Sequence, residues 1–108
     1  MNCKMITIKV DYDSRGMITG YKVEGHAEMA EAGKDILCAA VSTLTQTPIL
    51  GLERHLQYKP RYKVGDAKLQ VQLDRADDTT QAILMTMVHG LRDLAEKYPK
   101  RVRIENER

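Results

Sequence analysis

Neither tryptophan nor phenylalanine occurs among the 108 residues, and five tyrosines supply the whole aromatic content of 5%. Any buried core must therefore be assembled from Ile, Leu, Val, Met and Tyr. Cysteine is as scarce: there is Cys3, near the start, and Cys38, in quite different surroundings. Two thiols are expected rather than a disulfide, because residues 1–10 alternate polar and apolar side chains and lack the apolar stretch of a secretory signal. A cytoplasmic protein is the expectation. No four Cys, His or carboxylate residues show the spacing of a zinc site, so no metal and no cofactor are expected. Nor is there an excess of one charge. Seventeen Lys and Arg stand against fifteen acids, a net charge of +2, so direct nucleic-acid binding is not expected. With 30% charged and 43% hydrophobic residues, the composition is that of a soluble globular chain rather than a disordered or membrane-spanning one. The chain shows no repeat, low-complexity segment or linker, and its length fits one domain, 1–108.

Alternation marks the strands. Ile6, Ile8 and Val10 share one face of a first strand, Asp11 to Gly16 supply turn residues, and Met17 to Glu24 reads as the returning strand. Residues 36–56 place Leu37, Val41, Leu44, Pro48 and Leu52 in one arc at helical period, with Pro48 expected to kink or split the helix. Pro60–Val64 and Ala67–Leu73 flank a Gly65-Asp66 turn and read as a second hairpin. Asp78 with Gln81 resembles a capping box opening a second helix, whose apolar sector holds Ile83, Leu84, Met87, Val88, Leu91, Leu94, Ala95 and Tyr98. Pro99 ends it, and Val102 with Ile104 makes a short last strand. The fold class expected is α+β: a mostly antiparallel sheet with two helices packed on one face, in the order ββαββαβ. The other face, rich in Thr, Lys, Gln and Arg, is left to solvent or a partner.

Cys38 carries the strongest chemical signal. Asp35, preceded by Gly33, is a good N-cap, which would put Cys38 at the third helical position. There the first-turn N–H groups and the positive end of the helix dipole favour a thiolate, and the same N–H groups are donors for an oxyanion. Asp35 opposes this, since its own charge would lie close to the sulfur. A protonated His26, leaving the second strand just after Gly25, would resolve the conflict. His55, seventeen residues further along the same helix, is roughly 25 Å away at 1.5 Å per residue and cannot reach. It projects onto the buried stripe as a hydrogen-bonded helix-end residue, whereas His89 faces solvent. Ser42, one turn beyond Cys38 and about 40° round the helix, could contact a substrate. The competing reading is structural: cysteine is among the most buried residue types.

The pattern Gly25-His26-Ala27 followed by Gly33-x-Asp35-Ile36-x-Cys38-Ala39-Ala40-Val41-Ser42 resembles the motif of the bacterial ribosomal-processing cysteine proteases of the Prp family. The likeness extends over nearly the whole chain in length and element order. It implies an endopeptidase that removes an N-terminal extension from the precursor of a large-subunit ribosomal protein, number twenty-seven. It implies His26 and Cys38 as the catalytic pair and Asp35 and Ser42 as supporting residues; Gly25 and Gly33 complete the motif. It also implies a homodimer and a mobile loop between His and Cys. The segment 27–34 is Ala/Glu-rich and without an aromatic residue, and a lid that orders over an extended peptide is expected there. Two other classes stay open. One is a ribosome- or RNA-associated binding module using Arg61, Lys63, Lys68, Arg101 and Arg103. The other is a thiol redox sensor, for which Cys3 would have to serve as the resolving thiol.

Overall fold

A computed structural model describes residues 5–25, 36–65 and 68–107. The elements run β1 (Ile6–Tyr12), β2 (Ile18–Glu24), α1 (Ile36–Arg54), β3 (Arg61–Gly65), β4 (Lys68–Gln72), α2 (Asp78–Lys97) and β5 (Val102–Glu107). This is the α+β order read from the sequence, ββαββαβ. The five strands form one sheet in the order β3-β4-β2-β1-β5, antiparallel throughout except where β5 lies parallel to β1.

Because side chains alternate along each strand, one register line is apolar and the next polar. Val64, Leu69, Val23, Ile8 and Ile104 lie side by side across all five strands, and so do Lys63, Gln70, Lys22, Lys9 and Glu105 one residue on. Ile6, Ile8, Val10, Tyr21, Val23, Leu69, Val71 and Val102 are buried under the helices. The edge strand β3 differs, since all five of its residues are exposed.

Both helices lie on the apolar face. α1 buries Leu37, Val41, Thr45, Pro48, Ile49 and Leu52, while Leu44 stays half-buried beside α2. By length and composition α1 would suffice to cross a membrane; here its apolar stripe is the roof of the core. Pro48 does not split it, for α1 is continuous from Ile36 to Arg54. Proline withholds a donor from the carbonyl four residues back, and the neighbouring Thr45 carbonyl accepts a 2.7 Å bond from the buried Tyr21 hydroxyl. That bond fixes the helix to the sheet at the weakened turn. α1 ends at Arg54, so His55 lies beyond it and is exposed rather than on the buried stripe.

α2 is capped one residue earlier than the sequence suggested. Asp77, not Asp78, is the N-cap; its carboxylate accepts from the Thr80 N–H at 3.0 Å, and the Thr80 hydroxyl accepts from the Asp77 N–H at 3.0 Å. Threonine thus takes the part expected of Gln81. Gln81 instead accepts from the Ile18 N–H at 2.7 Å and donates to the Ile18 carbonyl at 3.0 Å, tying α2 to the start of β2.

Candidate functional site

Cys38 is the third residue of α1, half-buried, and a thiol rather than half of a disulfide. No acidic residue occupies the first turn of α1. The partial positive charge of a helix's first N–H groups is the condition under which a thiolate is favoured.

Three tie points orient α1. Mid-helix, Thr45 is bonded to Tyr21. Beyond its C-terminus, the Tyr58 N–H donates to the Leu52 carbonyl at 2.8 Å, and the Tyr58 hydroxyl accepts from the Asp74 N–H at 2.6 Å. That is the end of the sheet where β4 finishes and β2 begins. α1 also packs antiparallel to α2, with Gly51 against Ile83 and Leu44 against Gly90. Cys38 therefore lies at the opposite end, where β2 finishes and β1 and β5 begin. Seven helical residues from Thr45 to Cys38 and three strand residues from Tyr21 to Glu24 each span about 10 Å, in the same direction.

β2 is followed at once by Gly25, whose φ of +86° lies in the left-handed region. A Cβ there would collide with the Met5 carbonyl oxygen. Only glycine lets the chain turn so close against the start of β1, and this turn leads directly into position 26. Gly25 and Cys38 are thus brought to one end of the molecule. His26, Gly33 and Asp35, together with the expected lid 27–34 and Cys3, lie outside the described residues. Ser42 is half-buried one turn from Cys38, on the same side of the helix.

Cys38, Ser42, Thr45 and Ile49 follow one another at helical spacing along the side of α1. The stripe descends from the thiol toward a groove of about 150 Å³ lined by Gln46, Ile49, Leu50, Tyr62, Val64 and Leu69. Sequence reasoning did not single this groove out. Its signal was the alternation of Tyr62 and Val64 with Arg61 and Lys63, but an apolar strand face is ordinarily read as core. No cluster of metal-ligating side chains occurs among the described residues.

Against known proteins, a family model described as cysteine protease Prp matches residues 5–103. Two proteins from Staphylococcus aureus strains, each named ribosomal processing cysteine protease Prp, are 29% identical over 106 residues, covering 93% of this chain and 97% of theirs. Among solved structures, SMU.848 from Streptococcus mutans is 27% identical with a TM-score of 0.81, over 95% of this chain and 99% of that one. The S. aureus ribosomal processing protease Prp in complex with a substrate peptide shares the fold, with a TM-score of 0.78 at 24% identity over 95% of this chain and all of that one. With the match spanning nearly the whole chain, and the thiol three residues into α1 at the sheet end where Gly25 turns the chain, this protein belongs to the Prp family of ribosomal-processing cysteine proteases.

Proposed function

We propose that this protease removes the N-terminal extension from the precursor of large-subunit ribosomal protein number twenty-seven, using Cys38 as nucleophile and His26 as its acid–base partner. The reading is carried by the position of Cys38 in an N-terminal helical turn without acids, at the sheet end where Gly25 delivers the chain into residue 26. The S. aureus relative, solved with a substrate peptide, supports a peptide substrate.

In this mechanism the Cys38 thiolate attacks the scissile carbonyl, forming a C–S bond while the carbonyl oxygen takes the electron pair. First-turn N–H groups of α1 hold that oxyanion. On collapse the C–N bond breaks, and the His26 imidazolium gives its proton to the leaving amine. The neutral imidazole then takes a proton from water, whose oxygen attacks the thioester and releases Cys38. Asp35 orients the imidazole, Gly33 frees the chain before the helix, and Ser42 contacts the peptide beside the thiol. The enzyme works as a cytoplasmic homodimer.

The test is incubation of the precursor peptide with wild type and with Cys38→Ala and His26→Ala, followed by mass spectrometry. Cleavage at one bond by wild type only is the expected result; undiminished processing by Cys38→Ala refutes the reading. The nucleic-acid alternative finds less support, because Lys68 pairs with Glu24, Arg61 with Asp74 and Arg103 with Glu105. Three of its five cations are already matched by acids.

A further inference from the structure

Resting on the protease reading above, we propose that the flank between α1 and β3 is the cleft for an extended substrate. The peptide adds as a sixth strand on the open edge of β3 and seats an apolar side chain, four or five residues from the scissile bond, in the groove beneath that strand.

Three independent features converge on this flank. First, β3 is hydrogen-bonded to β4 alone, so along its other edge the backbone is unpaired among the described residues. An open edge is a template for an incoming strand, and main-chain pairing is a usual way to bind extended peptides without regard to most side chains. Second, this edge lacks the apolar burial of the rest of the sheet. Val64 is 69% and Tyr62 46% exposed, and Leu50 of α1, facing them, is 42% exposed. The groove they share with Gln46, Ile49 and Leu69 has no charged residue in its wall. Its volume of about 150 Å³ suits one aliphatic side chain, and its chemistry asks for an apolar one. Arg61 and Lys63 alternate onto the opposite face of the sheet and leave the groove uncharged.

Third, the groove lies along the same helix as the nucleophile. From Cys38 to Gln46 is eight helical residues and to Ile49 eleven, about 12 to 16 Å along α1. An extended peptide covers that span in four or five residues at roughly 3.3 Å each. The edge runs in the matching direction. β3 starts at Arg61, opposite Gln72 at the far end of the sheet, and finishes at Gly65, opposite Lys68 and Glu24 at the Cys38 end. A peptide whose scissile bond lies over Cys38 therefore meets this edge as it leaves the site.

The experiment compares two peptides on the wild type and on the double variant Leu50→Ser/Val64→Ser, both substitutions being at exposed positions that do not threaten the fold. One peptide carries the full precursor extension; the other keeps only three residues on each side of the cut. Wild type is expected to prefer the long peptide, and the double variant to reduce the long-to-short ratio of kcat/KM about tenfold, through KM on the long peptide. N-methylation of alternate backbone nitrogens in the distal part of the long peptide should reproduce that loss in the wild type. Equal losses on both peptides, an unchanged ratio, or indifference to N-methylation would overturn the cleft. So would a shift of the double variant from dimer to monomer in sedimentation with parallel losses on both peptides, which would give the patch to a second copy instead. If wild type cuts neither peptide, the processing function itself fails, and the cleft falls with it.

Discussion

The two helices are nearly equal in length, 19 and 20 residues, and lie antiparallel on the same sheet face, yet their described first turns differ. α2 opens on a reciprocal cap, with Asp78 in its first turn, and near its end Lys97 pairs with Asp93 at 3.0 Å. The Asp77 carboxylate satisfies one of its orphan N–H groups, and Asp78 and Lys97 complement its dipole. α1 opens on Ile36, Leu37 and Cys38, without an acid in its first turn, and carries a proline in mid-course. α2 thus carries acids at its cap and in its first turn, whereas the described first turn of α1 carries none.

The largest expected effect lies on the α1 side of this comparison. Cys38→Ala should lower peptide cleavage by about 10⁴-fold or more, as loss of a nucleophile does, and leave the melting temperature nearly unchanged, since the side chain is small and half-buried. A large fall in melting temperature would mean that Cys38 is a core residue first. Next comes Gly25→Ala. A left-handed φ combined with a clash against the Met5 carbonyl should cost about 2 to 3 kcal/mol in urea unfolding, and cleavage should fall as well, because the turn leads into residue 26. Full activity in a destabilised Gly25→Ala protein would separate this turn from the site.

The α2 counterpart is Thr80→Val, which keeps the shape of a fully buried side chain and removes the hydroxyl that accepts from the Asp77 N–H. A loss of about 1 to 2 kcal/mol is expected, with kcat unchanged at temperatures where the variant is folded. Together with Cys38→Ala it forms a crossed pair: one variant is inactive and stable, the other active and less stable. The Asp77 carboxyl adds a pH dependence. The Thr80 N–H bond, ahead of the Thr79 hydroxyl and Arg75, holds its pKa below 3.8. The stabilisation from this cap is therefore present above pH 3.8 and is lost as the pH falls through the lower native value. Acid titration followed by circular dichroism at the helix signal checks it.

Element order was legible because each element repeats its own period several times: Ile6, Ile8 and Val10 in β1, and Leu84, Met87, Val88 and Leu91 in α2. Where a single residue decides the outcome, the pattern was a weaker guide. The cap moved to Asp77 because Thr80 can both position a hydroxyl and be buried, whereas Gln81 found backbone partners in β2 that lie far off in sequence. Pro48 left α1 whole, with the carbonyl of Thr45 in the same turn held by the Tyr21 hydroxyl of β2. At the candidate site, the placement of Gly25 and Cys38 was readable from local rules, a glycine where the chain must turn and a thiol three residues into a helix. The groove was not, since exposure of Tyr62 and Val64 follows from β3 taking the edge of the sheet, and edge position is a property of the whole topology.

The smallest effect tests how firmly the helix that carries Cys38 is held to the sheet. Tyr21→Phe removes the 2.7 Å bond to the Thr45 carbonyl, a buried interaction worth about 1 kcal/mol, with no change in packed volume beyond the hydroxyl. Burial raises the Tyr21 phenol above its ordinary pKa of 10.0, so the native chain keeps a proton that the unfolded chain gives up. The associated stability is complete below pH 10.0 and declines as the pH rises from there toward the native value. Urea midpoints measured from about pH 8 to 11 should therefore fall more steeply for wild type than for Tyr21→Phe, the two curves converging at the alkaline end. If the bond serves only stability, kcat/KM will be unchanged. If it also sets the height of α1 over the sheet, kcat/KM on the long extension peptide will fall more than on the short one, because the groove wall formed by Ile49 and Leu50 lies one turn beyond Thr45.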